Sequence, residues 1–191
     1  MAIFLFVRHG EPDYAGVGEW KKVPLGEHFA GLTKLGIVQI EKASEELSAY
    51  PVELILSSPY TRAMQSAAIM AKNLGVDVFV EQGLHEWEAD LSHTVSDEEE
   101  LLKLCREHDS CNGIYPEGEI RLWESKEALR KRVLECMSRY ADRECVVIAG
   151  HAMMMKAVLE IEEPIPYGSI FNYTHNLQLV PTVALVPKQL F

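Results

Sequence analysis

Residues 3–11 read Ile-Phe-Leu-Phe-Val-Arg-His-Gly-Glu, an apolar run that ends directly in charged and polar residues. Five consecutive aromatic and branched residues predict a short strand buried on both faces. Further along the chain, similar runs predict strands at Leu54–Leu56, Val76–Val80 and Cys145–Ala149. Because strands alternate with predicted helices, we expect an α/β fold, a three-layer α/β/α sandwich around a mostly parallel central sheet.

The segments between the strands carry helix signals. Thr33 is a predicted cap for a helix that runs to about Ala49. The run Ser57-Ser58-Pro59 predicts a second helix start, and Gly75 its end. The predicted buried face of that helix consists of Met64, Ala67, Ala71 and Leu74.

The rest of the chain is expected to complete one domain over residues 1–191. A helical elaboration at about 88–141, beside one end of the sheet, contains the helices predicted at Ser96–His108 and Glu124–Ala141. Two or three short strands at 169–186 close the sheet. A long loop at 10–31 is expected to be functional, because loops of this length are uncommon inside domains.

Composition excludes several kinds of partner. The chain has 191 residues and a formal net charge of −11, and a strongly acidic protein repels nucleic acid and anionic membranes. No apolar stretch approaches transmembrane length. The four cysteines form no CxxC pair, so the expected location is the cytoplasm. An anionic substrate would therefore need a local concentration of positive charge.

Three of the predicted strands end in residues suited to phosphate. Arg8 and His9 follow the first strand, Arg62 lies just beyond the second, and His151 follows the strand at 145–149. Ligands of α/β sheets bind beyond the carboxyl ends of the strands, so neighbouring strands would bring these side chains into one pocket. Arginine matches phosphate oxygens, and a neutral imidazole has a lone pair that can attack phosphorus. The pattern predicts phosphoryl transfer.

Attack by a histidine requires a separate acid to protonate the leaving oxygen. The loop after the third strand contains two candidates, Glu86 and Glu88. Glu86 is the first choice because the adjacent Trp87 could desolvate it, and Glu88 remains the alternative.

Five blocks of this sequence together resemble the histidine phosphatase superfamily, the phosphoglycerate mutase-like group. In chain order they are Arg8–Glu11, Leu32–Gly36 with Gln39, Ser57–Ala63, Leu84–Glu86 and Gly150–Ala152. A single Arg-His-Gly tripeptide is a weak signal, whereas five ordered blocks are a strong one.

The resemblance implies a role for each matching residue. His9 would be the nucleophile that becomes phosphorylated, Glu86 the proton donor, and no metal or organic cofactor is expected. Arg8, Arg62 and His151 would bind the phosphoryl group. We add Gly10 and Ser58 to the expected phosphate-binding set, although Gly10 can simply permit a turn and caps are the more common role for Ser57 and Ser58.

Two departures from the family pattern bear on substrate and acid. Ala15 stands where members commonly have a phosphate-contacting asparagine. The block containing Glu86 continues Trp-Glu-Ala-Asp-Leu instead of through a glycine and an aromatic–glutamate–glycine run.

We therefore expect a phosphatase for a phosphorylated small molecule. The alternatives are a phosphoglycerate-type mutase, which the short chain disfavours, and a phospho-ligand binding module without turnover, which the retained histidines and acid disfavour. Lys21 and Lys22 could add positive charge at the pocket mouth. A zinc site is not expected, because the histidines and cysteines between 85 and 111 match no common zinc spacing. The substrate and the oligomeric state stay open.

Overall fold

A five-stranded mixed sheet, with strands in the order β3-β2-β4-β1-β5, forms the centre of the molecule. The structure, a computed structural model, describes residues 2–19, 26–95 and 97–174. The strands are β1 (Ile3–Arg8), β2 (Leu54–Ser57), β3 (Asp77–Val80), β4 (Cys145–Gly150) and β5 (Ile170–Thr174). The helices are α1 (Lys34–Leu47), α2 (Thr61–Leu74), α3 (Glu98–Ser110), α4 (Lys126–Ser138) and α5 (Ala152–Leu159).

The three central strands run parallel and end together. β4 pairs in parallel with β1 on one side and β2 on the other, and only β5 runs antiparallel, against β1. Arg8 lies opposite Gly150, and Ser57 lies opposite Ala149. The carboxyl ends of β2, β4 and β1 therefore form one continuous edge.

Helices cover both faces of the sheet, as the alternation of strands and helices predicts. Phe4 and Phe6 of β1 point into a core shared with α4 and α5, whereas Leu5 and Val7 point into a core shared with α1 and α2. Strand side chains alternate between faces, so a strand buried on both must be apolar throughout. The predicted α/β/α layering is confirmed.

Helix α2 differs from its prediction in two ways. It begins at Thr61 with Tyr60 as the N-cap, and not at the serine–proline run. Its buried residues include Arg62, Ser66 and Met70, whereas Met64 is 42% exposed. The hydrophobic pattern was misleading because this helix turns polar side chains inward, towards the edge where the strands end.

Helix α4 belongs to the covering layer. Leu129, Val133 and Met137 lie in the same core as Phe4 and Phe6, because they recur at helical spacing on one face. Within the stretch 88–141 that was predicted as an elaboration, α4 thus packs on the sheet.

The last strand, the cysteines and the helices can also be compared with the expectations from the sequence. Strand β5 is one of the short strands predicted at 169–186, and residues 175–186 lie outside the described residues, as do Lys21 and Lys22. All four cysteines are free. Within the described ranges, no helix has both the length and the apolar content that a membrane span requires.

Candidate active site

The strand ends bring three residues of the predicted site into hydrogen-bond register. The His9 amide donates to Gly150 O at 3.0 Å, and the Ser58 amide donates to Ala149 O at 3.0 Å. His9 and Ser58 thus lie on either side of the end of β4, from which His151 follows. The expected convergence is observed, because the parallel register continues one residue beyond each strand.

His9 is held in one tautomer. Its ring is 4% exposed, and Nδ1 lies 2.7 Å from the carbonyl oxygen of Gly10. A carbonyl oxygen can only accept, so Nδ1 carries the proton, and in the neutral ring Nε2 keeps its lone pair. The bond to the backbone thereby leaves a lone pair on Nε2, which the predicted role of His9 requires.

Arg62 contacts Nε2 of His9 directly. Its Nε donates to His9 Nε2 at 3.2 Å, and its Nη1 donates to the carbonyl of Glu27 at 3.4 Å. The side chain is buried, and it reaches His9 because α2 turns residue 62 towards the sheet. A guanidinium group here can bind a phosphoryl group as it approaches Nε2.

His151 provides a second imidazole beside the first. The two rings lie 5.1 Å apart between centroids, and His151 is fully buried. Its Nε2 lies 2.7 Å from Ser58 Oγ, whereas its Nδ1 has no hydrogen-bond partner among the described residues. Buried nitrogens are rarely left unpaired, so an unpaired one beside a nucleophile suits a bound anion.

Ser57 and Ser58 do not cap α2, so the prediction that these serines are helix caps is wrong. Ser57 Oγ donates to the Ser58 carbonyl, and Ser58 Oγ accepts from the Tyr60 amide at 3.3 Å while contacting His151. Ser58 thus contacts a second residue of the predicted site, and α2 begins three residues further on.

Arg8 lies on the other side of His9. Its Nη1 donates to the Ile165 carbonyl, and its guanidinium lies 3.9 Å above the ring of Tyr167. Tyr167 is also 5.5 Å from the His9 ring. The Nε of Arg8 is buried without a partner among the described residues. Arg8 is thus fixed in place with donor capacity left over.

Gly10 has a packing role that is visible in the structure. A Cβ at this position would lie 2.3 Å from the Gly36 carbonyl oxygen. Its amide donates to Ser66 Oγ at 3.2 Å, so in this structure the N–H is already used. Its predicted contact with phosphate stays a prediction.

The block at Leu32–Gly36 with Gln39 supports the segment after β1. Gln39 Oε1 accepts from the Glu11 amide at 2.8 Å. Thr33 Oγ1 donates to the Glu11 carboxylate at 2.6 Å and accepts from the Gly36 amide, which caps α1. This block therefore orients the residues that follow His9.

The Glu86 carboxylate lies at the N-terminus of α5. It accepts from the amides of Trp87 at 2.9 Å, Met154 at 3.0 Å and Met153 at 3.2 Å. Met153 and Met154 follow His151 by two and three positions, so Glu86 lies against the first turn of the helix that His151 precedes. The alternative acid, Glu88, lies 3.5 Å from His85 Nδ1 and 3.9 Å from His93 Nε2.

Burial keeps the site histidines neutral. Desolvation lowers the pKa of His9 to about 3, assisted by the positive charges of Arg62 and Arg8 and opposed by the bond to Gly10. Desolvation, followed by Arg62, lowers the pKa of His151 well below its usual value. Desolvation and Arg62 also lower the pKa of His28 to about 4. A neutral His9 is the form that can attack phosphorus.

This neutrality predicts a pH-dependent stability. Between pH 6.5 and about 3, His9 is protonated in the unfolded chain but neutral in the folded protein. The free energy of unfolding therefore falls as the pH falls. Within that range His9 contributes roughly 1.4 kcal/mol per pH unit to the slope. We expect His9→Asn to show a shallower slope than the parent in urea unfolding between pH 6.5 and 4.

His93, whose side chain is 49% exposed, provides the matched control. His93→Asn should keep the parental slope. If the free energy of unfolding of His9→Asn depends on pH as steeply as that of the parent, the expectation that His9 stays neutral in the folded protein is wrong.

Sequence reasoning missed the aromatic residues around the site. The Tyr60 ring stacks on His28 with centroids 3.7 Å apart and lies 5.2 Å from His151. Tyr167 supports Arg8 from the loop before β5. Burial raises the pKa of Tyr14, and the charges that act on its hydroxyl include Arg62 and Arg8. Tyr60 lies inside the block Ser57–Ala63, whereas no local sequence pattern marks Tyr14, His28 or Tyr167.

The residues considered for zinc are spread over separate contacts. His85 and His93 lie beside Glu88, and His108 packs against Trp87 and Trp123. Within the described part of the chain, no group of three or more His, Cys, Asp or Glu side chains could hold a metal ion.

Comparison with known proteins agrees with this geometry. The sequence profile of the Histidine phosphatase superfamily (branch 1) matches residues 4–183. The chain belongs to the histidine phosphatase superfamily. Members of this superfamily are phosphatases and mutases, so the chain is placed among enzymes that transfer phosphoryl groups.

Individual relatives of the superfamily differ in their named activities. The 2,3-bisphosphoglycerate-dependent phosphoglycerate mutase of Thermoplasma acidophilum is 30% identical over 173 residues, 88% of this chain and 82% of that protein. YhfR of Bacillus stearothermophilus has the same fold, with a TM-score of 0.72, 17% identity and coverage of 97% and 96%. A mycobacterial glucosyl-3-phosphoglycerate phosphatase matches with a TM-score of 0.69, 17% identity and coverage of 96% and 97%.

Proposed function

We propose that this protein is a phosphatase that hydrolyses the phosphate monoester of a small molecule through a phosphohistidine on His9. The observation that carries the proposal is the His9 ring itself. It is buried and neutral, its Nδ1–H is committed to the Gly10 carbonyl, and its Nε2 lone pair faces Arg62. The superfamily match supports phosphoryl transfer by this chain.

The first step transfers the phosphoryl group to the enzyme. His9 Nε2 attacks phosphorus, a new N–P bond forms, and the bond to the ester oxygen breaks. Glu86 gives its proton to the departing oxygen, which leaves as an alcohol. Arg62, Arg8 and the unpaired Nδ1 of His151 bind the phosphoryl oxygens, where negative charge must be stabilised during transfer.

The second step regenerates the enzyme. A water molecule attacks phosphorus, the N–P bond breaks, and Glu86 takes the proton that the water loses. Inorganic phosphate leaves, and His9 returns to its neutral form with Nδ1 still bonded to Gly10. The bonds to the amides at the start of α5 fix the position from which Glu86 would act in both transfers.

The proton-donor role predicts a dependence on the leaving group. Glu86→Gln should lower kcat/KM for phenyl phosphate about 100-fold and for p-nitrophenyl phosphate much less, since p-nitrophenolate leaves without full protonation. kcat/KM is the appropriate quantity because it reports the first transfer, before the phosphohistidine is hydrolysed.

Glu88→Gln is the matched control for this experiment, because it changes the competing carboxylate in the same loop. Its effect should be small and equal for both esters. If Glu86→Gln lowers kcat/KM equally for both esters, or if Glu88→Gln shows the larger difference between them, Glu86 is not the proton donor.

A mutase is the second candidate, favoured by the named activity of the Thermoplasma relative. In a mutase the phosphohistidine returns its phosphoryl group to the substrate and not to water. Incubation with 3-phosphoglycerate separates the two candidates: release of inorganic phosphate supports the phosphatase, and isomerisation without release supports the mutase.

A further inference from the structure

Another arginine, Arg132 of α4, holds the loop that carries Glu86. Its three nitrogens donate five hydrogen bonds, which uses every N–H of the guanidinium group. Nη1 donates to the carbonyls of Gly83 at 2.8 Å and His85 at 2.9 Å. Nη2 donates to the carbonyl of Glu86 at 3.1 Å. One side chain thus binds three peptide groups within four residues.

Glu124 completes this arrangement, which we call the loop clamp (Arg132 with Glu124). Its carboxylate is 7% exposed and accepts from Arg132 Nε at 2.6 Å and Nη2 at 2.8 Å. Its carbonyl accepts from the Trp87 indole at 2.7 Å, and its amide donates to the Glu88 carbonyl at 2.8 Å. The clamp therefore extends from residue 83 to residue 88.

Glu86 is consequently held from two sides. Its backbone carbonyl is bound to α4 through Arg132, and its carboxylate is bound to the amides at the start of α5. The two attachments lie on different helices, so the position of the carboxylate relative to His151 depends on both. Loss of one attachment leaves the loop free to shift, and a shift of about 1 Å at a reacting group can cost on the order of 100-fold in rate.

We infer that Arg132, paired with Glu124, is a positioning residue that sets where the Glu86 carboxylate meets the leaving oxygen. This inference rests on the proposed function and deepens it. An arginine–glutamate pair can also contribute to stability alone. Here, however, every hydrogen bond from Arg132 to a backbone carbonyl goes to the loop that contains Glu86.

Arg130 offers a matched comparison on the same helix. Its side chain is 22% exposed against 18% for Arg132. It also donates to two backbone carbonyls and one carboxylate, those of Ala157, Val158 and Glu160 at the end of α5. Arg130 therefore makes the same kinds of contact away from the Glu86 loop.

The test compares two esters in the full chain. We expect Arg132→Ala to lower kcat/KM for phenyl phosphate about 10-fold or more and for p-nitrophenyl phosphate less than about 3-fold, because only the poorer leaving group depends strongly on the acid. Added to Glu86→Gln, Arg132→Ala should cause no further loss on phenyl phosphate, since the two changes act on one step. Arg130→Ala should leave the ratio of the two esters unchanged.

Arg132→Lys repeats the comparison if the alanine variant fails to fold, as judged by circular dichroism. Lysine keeps the charge beside Glu124 but cannot reproduce the planar set of donors, so the same ester selectivity is expected. Equal losses on both esters, additive losses with Glu86→Gln, or the same pattern in Arg130→Ala would overturn the positioning role. Failure of the parent protein to hydrolyse either ester would instead contradict the proposed phosphatase function, and the positioning role with it.

Discussion

Replacement of His9 by alanine is expected to lower kcat/KM for p-nitrophenyl phosphate by about 10,000-fold or more, because the attacking atom is removed. Nε2 of His9 is the imidazole nitrogen whose lone pair faces Arg62, and its ring is oriented by the Gly10 carbonyl. Alanine retains neither feature. We do not expect His151 to substitute, since its Nε2 contacts Ser58 and its Nδ1 is assigned to the phosphoryl oxygens.

The covalent intermediate provides an independent measurement. Rapid acid-free quenching and mass spectrometry of the parent should detect one added phosphoryl group, labile to acid as expected for an N–P bond, on the peptide containing His9. The His9→Ala protein should carry none while keeping the parental circular dichroism spectrum. His93→Asn controls for the loss of a histidine outside the pocket. Near-normal turnover by His9→Ala would show that the covalent mechanism is wrong.

Replacement of Arg62 by alanine is expected to lower kcat/KM for the same ester about 1,000-fold, the upper range for removing one preorganised donor from a buried site. The effect is large because Arg62 both contacts the nucleophile and provides positive charge in an acidic protein. Arg62→Lys should recover only part of the loss, since lysine lacks the fork of donors that matches phosphate oxygens.

Phosphate affinity tests the same role without turnover. Inorganic phosphate should inhibit the parent competitively and bind Arg62→Ala at least about 10-fold more weakly, because a charge-assisted contact is lost. Arg143→Ala removes an exposed arginine that precedes β4, whereas His151 follows that strand. This variant should retain the parental affinity for phosphate. Unchanged phosphate inhibition in Arg62→Ala would contradict its place in the phosphate-binding set.

The strands and the strand-end residues were predictable because both leave local signals. A strand buried on both faces must be apolar throughout, and β1 and β4 show this in their sequences. Arg8, His9 and His151 follow such strands directly, and parallel strands end on one edge. The sequence therefore predicted which side chains converge.

Helix α2 shows where local patterns fail. Its apolar residues predicted one buried face, yet Arg62 and Ser66 are buried and Met64 is exposed. Polar residues face inward because Arg62 must reach His9 and Ser66 accepts from the Gly10 amide. Contacts with residues more than fifty positions away override the local hydrophobic pattern, and no window of sequence contains them.

His9, with which the sequence analysis began, combines both levels. Its sequence alone determined that an imidazole follows a buried strand, because burial restricts the preceding residues to apolar types. Only the tertiary structure decided which nitrogen is free, how far the pKa falls, and which groups face the ring, since Arg62 comes from α2 and His151 from the end of β4. The loop clamp is of the same kind: Arg132 reaches the Glu86 loop across more than forty residues of chain, and only folding brings the donors and carbonyls together.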